Sequence, residues 1–268
     1  MAMTSEVMAG HRRVGHTPSM FGGELKRWRT ARRFSQEALA GAAAVSARHL
    51  SCLERGIAWP SEAMVLRLAR ALDLPLRERG ALLGAAGYAA RWSDSGDRVP
   101  ERLEAAVTRL LHGQPSPTFA LSGAYVVLDA NAAARVVPGA LTPGPVVGTD
   151  LARAMLGAGP HRRLIEGYDE AAAFLARLRT DAAAQGPTSP LWTLIDEAEA
   201  GGLGAPGVAA EPVLPLTIRI GAARTRWLTV LMSFGTPQDA MVEQLTIEQL
   251  LPADEETAGF AREVGRAG

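Results

Sequence analysis

The sequence predicts a multidomain protein in which an all-α domain of five short helices precedes an α+β domain. A chain of 268 residues is long for one domain and comfortable for two. Charge is also divided unevenly along it. Residues 1–92 carry 14 Lys and Arg against 7 Asp and Glu, whereas residues 93–268 carry 14 against 21. The resulting net charges, +7 and −7, cancel in the whole chain but indicate two parts with different partners.

Polar and turn-forming segments predict the domain limits. A polar stretch at 91–100 marks the end of the first domain, and a run of Gly and Pro within 112–117 ends the helix that follows. The expected parts are a flexible arm (1–20), the all-α domain (21–92), a linker with a connecting helix at about 101–112 (93–117) and the α+β domain (118–268).

Each helix of the first domain is predicted from apolar residues that recur on one face and from a residue suited to begin a helix. Glycines that suit a helix C-terminus follow the third and fifth helices at Gly56 and Gly87. The residues predicted at or just before the five helix starts are Gly22, Ser35, Ser46, Ser61 and Pro75.

In the second domain, short apolar runs bounded by Gly and Pro alternate with helical patterns. Strands are predicted at 119–122, 124–129, 213–220, 226–234 and about 240–249. Helices are predicted at 131–137, about 150–157, 161–182, 190–200 and 260–264. The mixture predicts the α+β class for this domain.

Several classes of protein are excluded by composition. The single cysteine, Cys52, cannot form an internal disulfide and fits a reducing compartment, so we expect a cytoplasmic protein. We see no signal peptide and no run of about 18 apolar residues, which predicts no membrane contact. Phosphate-loop, dinucleotide and nucleophile-elbow motifs are missing, and the five histidines lack metal-ligand spacing. We therefore expect neither an enzyme nor a metal or other cofactor.

The second and third predicted helices have the features of a unit that binds double-stranded DNA. Leu50 and Leu53 face the core, which leaves the other face of the third helix for base edges, where Arg48 is the only long donor. Gln36 begins the second helix, where N–H groups can bind phosphate. A purely structural pair of helices is the alternative. The predicted DNA-binding residues are Gln36, Ser46, Ala47, Arg48, His49, Ser51, Cys52 and Arg55.

Residues 22–74 resemble the lambda-repressor-like, XRE-type helix-turn-helix family. The matching residues are Ser35-Gln36-Glu37-x-Leu39-Ala40, Val45-Ser46, Leu53-Glu54-Arg55-Gly56 and Pro60-Ser61. The resemblance implies a phosphate contact for Gln36 and an internal salt bridge between Arg29 and Glu54. Ala44 stands where the family usually has Gly, so a positive φ there would cost Ala about 1 kcal/mol.

From about residue 20 onwards, the chain resembles the MmyB-like subgroup of these regulators. The matching segments are Arg48–Ser51, Leu76–Arg79, Leu82–Tyr88, Val213–Leu216, Ser233–Asp239 and Leu251–Thr257. The resemblance implies a PAS-like second domain whose pocket takes elongated, apolar, fatty-acid-like ligands. Tyr168 stands where the family often has Trp.

Two hypotheses for the second domain remain open, because the lining of a pocket and a filled core have the same chemistry. One is a ligand-responsive, homodimeric transcription regulator. The other is a constitutive DNA-binding protein whose second domain is a solid dimerisation or partner-docking module. Under the first hypothesis, the predicted ligand-binding residues are Tyr125, Met155, Leu164, Tyr168, Leu228, Val230 and Met232.

Overall fold

The computed structural model describes residues 17–89, 98–135, 137, 146–157, 164–205, 207, 213 and 215–267. The chain divides into two compact units, Met1–Ser93 and Asp94–Gly268. Most of the predicted arm and the predicted boundary at 92/93 lie outside the described residues.

The first unit contains the five predicted helices. They are α1 (Pro18–Ala31), α2 (Gln36–Ala42), α3 (Ala47–Glu54), α4 (Glu62–Ala71) and α5 (Leu76–Ala85). Helix α1 begins four residues earlier than predicted, because Pro18 at its first position has a φ already suited to a helix. The hydroxyl oxygens of Ser35, Ser46 and Ser61 accept hydrogen bonds from backbone N–H groups at 3.0, 3.1 and 3.3 Å and begin α2, α3 and α4.

Helices α1, α2 and α4 end in the same way, with a residue in the left-handed region of the backbone. Ala44 after α2 has a φ of 51°, which confirms the expectation drawn from the sequence, and Arg33 and Asp73 have 56° and 48°. The next residue in each case returns its N–H to a carbonyl five residues earlier, as Val45 does to Ala40 at 2.9 Å. The geometry of the turn is therefore kept without a glycine.

The second unit is an antiparallel sheet with helices on both faces, which confirms the predicted α+β class. Its strands are β1 (Thr118–Leu121), β2 (Val127–Ala130), β3 (Leu216–Ile220), β4 (Ala223–Ser233) and β5 (Thr246–Pro252), in the order β2-β1-β5-β4-β3. Its helices include α6 (Glu101–His112), a 3₁₀ turn (Ala133–Arg135), α7 (Leu151–Leu156), α8 (Tyr168–Gln185), α9 (Leu191–Ala200), α10 (Ala240–Gln244) and α11 (Glu255–Ala267).

Several predicted elements of this unit differ from the structure. The strand predicted at about 240–249 is wrong in its first half, because the Asp239 carboxylate accepts from the N–H groups of Met241 (2.8 Å) and Val242 (3.3 Å) and begins α10. Strand β2 starts at Val127 rather than 124, because Tyr125 has a φ of 62° and lies in a turn. Helix α8 begins at Tyr168, and residues 161–163 lie outside the described part.

Two apolar clusters define the two faces of the sheet. The inner face packs against α7, α8 and α9 and carries Phe119, Trp227 and Leu250. The outer face packs against α6 and α10 and carries Ala120 and Ile247. Since side chains alternate along a strand, neighbours such as Phe119 and Ala120 belong to different clusters.

Asn131 joins the end of α6 to the sheet. Its side chain is buried (3% exposed), and its Oδ1 accepts from the N–H groups of Thr118 (3.1 Å) and Ala134 (2.9 Å). Its Nδ2 group donates to the carbonyl oxygens of Leu111 (3.2 Å), Gln114 (3.0 Å) and Ser116 (2.8 Å). One neutral side chain therefore satisfies backbone groups from α6, β1 and the 3₁₀ turn.

Replacing Ala44 with Gly should stabilise the first unit by about 1 kcal/mol, because Gly adopts a φ of 51° without the steric cost that Ala meets there. Exchange of the buried amides of α2 and α3 under native conditions measures the change. The control is Ala42→Gly at the helical end of α2, which should destabilise by about 0.5–1 kcal/mol. Equal losses in both variants would contradict the turn argument.

Candidate nucleic-acid interface and ligand-binding core

Helix α3 buries one face and exposes the other. Leu50 and Leu53 are fully buried among α1, α2 and α4, as the leucine spacing predicts. Of the residues predicted to contact DNA on this helix and its flanks, Ser46, Ala47, Arg48 and Arg55 are exposed, and His49, Ser51 and Cys52 are half-buried. The structure therefore brings these seven residues to one short helix and its ends.

The two arginines of this surface differ in their surroundings. Arg48 forms no hydrogen bond or ion pair with the described residues, so its guanidinium can meet a base edge without losing a partner. Arg55 folds back along the helix, and its Nε donates to the Ser51 carbonyl oxygen at 3.3 Å. Arg48 is thus the better placed of the two for reading bases.

Glu54, at the end of α3, holds the first three helices together. Its Oε1 lies 2.6 Å from Arg29 Nε on α1, and its Oε2 accepts from Arg29 Nη2 at 3.2 Å and from Gln36 Nε2 on α2 at 2.7 Å. The salt bridge implied by the resemblance is present. Gln36 donates one amide N–H to this carboxylate. Its predicted contact with a DNA phosphate stays a prediction.

The ionisation of Glu54 reflects this environment. Burial alone raises the pKa of Glu54, but hydrogen bonds from Arg29 and Gln36 and the charge of Arg29 outweigh burial and lower it overall. The hydrogen bond to Glu54 likewise raises the pKa of Arg29. Both groups are therefore charged across the physiological range.

The residues predicted to bind a ligand do not all share one site. Tyr125, Met155 and Leu164 are buried together in the inner cluster. Tyr168 is half exposed, and its hydroxyl accepts from the Gly204 N–H at 3.0 Å. These four residues come from different loops and helices, and only the first three belong to the inner cluster.

The predicted ligand-binding residues of β4 lie on the outer face of the sheet, and their contact with a ligand stays a prediction. Met232 packs in the outer cluster, and Leu228 and Val230 share its face because side chains alternate along a strand. The residues of β4 that face α7, α8 and α9 are instead Thr225, Trp227, Thr229 and Leu231. Both faces of this strand are partly apolar, so alternation alone could not tell which one faces the inner cluster.

A polar group inside the inner layer was missed by the sequence interpretation. Arg177 on α8 donates from Nη2 to Glu248 Oε2 on β5 at 2.8 Å and from Nε to the Tyr125 hydroxyl oxygen at 3.0 Å. The Tyr125 hydroxyl donates to Asp181 Oδ2 at 2.5 Å. Residues 177 and 248 are far apart in sequence. The available signal was a carboxylate within the apolar run that became β5.

The described residues offer neither a metal site nor a membrane span. Among them, no three His, Cys, Asp or Glu side chains lie close enough to hold a metal ion. None of the described helices is both long and apolar enough to cross a membrane.

Comparison with known protein families accounts for both units. Residues 20–82 match the model of a helix-turn-helix domain, and residues 103–263 match the model of the MmyB-like transcription regulator ligand binding domain. The second match covers more than half of the chain. The chain belongs to the MmyB-like family of transcription regulators. Neither description names an enzyme, and together they make this protein a DNA-binding regulator with a ligand-binding unit.

Solved structures add two likenesses to this MmyB-like regulator. The restriction-modification controller protein C.AhdI from Aeromonas hydrophila is 37% identical over 23% of this chain and 94% of that chain, with a TM-score of 0.22. An RNA-binding light-oxygen-voltage receptor is 14% identical over 93% of this chain and 63% of that chain, with a TM-score of 0.28. Both TM-scores are low, so neither structure adds to the description of the fold. No curated protein matches the chain.

Replacing Glu54 with Gln should destabilise the first unit of this regulator by about 3 kcal/mol at pH 7, because Arg29 loses its buried partner. The pKa of Glu54 is lower when folded than the unfolded value of about 4.3. Its stabilising contribution is therefore present above that value and is lost as the pH falls through the folded-state pKa.

Amide exchange in α1 and α3 between pH 7 and pH 3 measures this effect. The variant should lose less stability than the native protein across that range. The control is Glu37→Gln, an exposed carboxylate on α2, which should cost less than about 1 kcal/mol. A variant with the same pH profile as the native chain would show that Glu54 contributes nothing to it.

Proposed function

We propose that this protein is a sequence-specific, homodimeric regulator of transcription in the cytoplasm, controlled by an apolar, fatty-acid-like molecule bound in its second unit. The observation that carries the DNA-binding half is the exposed face of α3, with Arg48 held by no described partner. The family match to a ligand-binding domain over residues 103–263 carries the regulatory half.

Charge supports the assignment of DNA as the partner of the first unit. Residues 1–92 have a net charge of +7, and neutralising DNA phosphates is the main source of non-specific affinity. The side chains around Arg48 on α3 are small, which lets the helix approach the floor of the major groove. In the homodimer, two copies of the first unit would contact DNA half-sites whose centres are about 34–36 Å apart.

The inner cluster supports an apolar ligand for the second unit. Tyr125, Met155 and Leu164 lie in it, together with residues from α8, α9 and the sheet. A five-stranded antiparallel sheet whose inner face packs against α7, α8 and α9 is in keeping with the PAS-like fold that the resemblance implies. The ligand would regulate by binding more tightly to one conformation of the dimer than to another.

Replacing Arg48 with Ala should weaken binding to a duplex selected from a random library by about tenfold or more, because a bidentate contact to guanine is lost. Binding to unselected duplex should change much less, since phosphate contacts remain. Fluorescence anisotropy on both duplexes at fixed salt measures the two affinities. Arg70→Ala removes the same charge from α4 and should not reduce the preference for the selected duplex. An equal loss on both duplexes in the Arg48 variant would contradict base reading.

Removing bound lipid should change the affinity of the full chain for the selected duplex by about fivefold or more, the usual size of an allosteric effect. Anisotropy before and after treatment with a hydrophobic resin measures the change, and the extracted fraction should reverse it when added back. Mass spectrometry of that fraction identifies the molecule. An unchanged affinity would favour the second candidate, a constitutive DNA-binding protein whose packed inner cluster serves as a dimerisation or docking module.

A further inference from the structure

A charged pair lies in the otherwise apolar layer between α8 and the inner face of the sheet. The Glu248 side chain is 2% exposed and that of Arg177 is 23% exposed, and their closest atoms are 2.8 Å apart. Taking charges out of water costs several kcal/mol per ion, so such a pair is weak evidence for stability alone. Charged groups in a ligand-binding core are candidates for a functional site.

The hydrogen bonding of this pair is incomplete among the described residues. Arg177 uses Nε and Nη2 and has no partner at Nη1. Glu248 accepts at Oε2 and has no partner at Oε1. On the same face of the sheet, the Thr229 hydroxyl is buried and also lacks a described partner. Arg177 Nη1 and Glu248 Oε1 are open to water, whereas the Thr229 hydroxyl is buried, so a head group that binds here replaces water at one donor and one acceptor.

An exposed apolar side chain lies beside the Arg177–Glu248 pair on the inner face of the sheet. Leu231 lies directly opposite Glu248 in the sheet, on the same face, and 48% of its surface is exposed. Thr229 lies opposite Leu250, which is buried. The inner face therefore runs from a buried apolar end at Leu250 to an exposed end at Leu231, and the charged pair lies beside the exposed end.

The charges of Arg177, Glu248 and Asp181 determine which type of ligand head group fits beside them. Burial raises the pKa of Tyr125, which keeps its hydroxyl neutral, so Arg177, Glu248 and Asp181 together carry a net charge of −1. An ionised carboxylate at Arg177 would face two like charges, and an ammonium group at Glu248 would face the guanidinium. A hydroxyl or primary amide both donates and accepts, and so matches both free groups.

We propose that Arg177 and Glu248 bind the uncharged hydroxyl or amide head of an elongated apolar ligand whose chain lies along the inner face beside Leu231. This inference rests on the proposed function and names the head group and its position. The proposed ligand differs from an ionised fatty acid only in its head group, which is uncharged.

Three probes with the same ten-carbon chain test the head group: 1-decanol, decanoate and decylamine. Calorimetric titration of the delipidated full chain at pH 7.5 should give at least tenfold tighter binding for decanol than for either charged probe. Any apolar pocket favours an uncharged molecule to some degree, so variants are needed. In Glu248→Gln, the net charge of the cluster becomes zero, and the affinity for decanoate relative to decanol should rise at least tenfold.

A second variant locates the site without touching the core. Leu231→Arg changes an exposed side chain, should leave the fold intact, and should weaken decanol binding at least tenfold. Glu199→Gln is the matched control, because Glu199 pairs with Arg179 on the exposed side of α8 and its loss should leave all three affinities unchanged. Circular dichroism checks that each variant is folded.

The outcomes separate this inference from the proposed function. Equal binding of the three probes, no binding of decanol, or decanol binding that neither Leu231→Arg nor Glu248→Gln alters would overturn the site. If the affinity for the selected duplex still changes on lipid removal in that case, the proposed ligand-controlled regulation is supported and the ligand binds at another site. If the probes bind as expected but the affinity for the selected duplex is unchanged by lipid removal, the ligand site is supported and the proposed control of DNA binding is wrong.

Discussion

The orientation of α3, whose exposed face is the proposed DNA-reading surface, depends on one carboxylate. Glu54 ends α3 and receives hydrogen bonds from Arg29 on α1 and Gln36 on α2, so three helices meet at two oxygen atoms. The leucines behind α3 supply most of the favourable free energy of burial, but apolar contacts are not directional and tolerate small rotations. Charged hydrogen bonds are directional, and they fix how α3 is turned on the leucines. The direction in which Arg48 points follows from that rotation.

The second unit contains two buried polar centres of opposite character. Asn131 is neutral, and its amide satisfies backbone groups from three elements, so it costs little to bury and resists rearrangement. Arg177 and Glu248 are charged and leave one donor and one acceptor unused among the described residues. A fully satisfied network rigidifies a core. Asn131 is therefore a structural joint, whereas Arg177 and Glu248 keep a donor and an acceptor open to water, which is what the ligand site proposed above requires.

Local rules predicted the local features of this chain. The serines at 35, 46 and 61 begin helices because the hydroxyl of each meets an N–H three residues on, and that geometry involves only neighbours. The positive φ of Ala44 was implied by the resemblance, because the family usually has Gly at this position of the turn. Which face of β4 meets the inner cluster could not be predicted from the sequence, because the two faces are similarly apolar and the packing of helices from other parts of the chain decides between them. The Arg177–Glu248 pair was missed for the same reason, since it forms only when the sheet and α8 meet.

Strand β5 connects the two faces of the sheet. It places Glu248 on the inner face beside Arg177 and Ile247 on the outer face, in the cluster that also contains Val107 and Leu111 of α6. Adjacent residues of one strand cannot move independently, because their backbone groups are hydrogen-bonded to both neighbouring strands. A molecule that repositions Glu248 therefore acts on the surface against which α6 packs. Asn131 holds the end of α6 to β1, which pairs with β5, so its hydrogen bonds fix the position of α6 relative to the strand that carries Glu248.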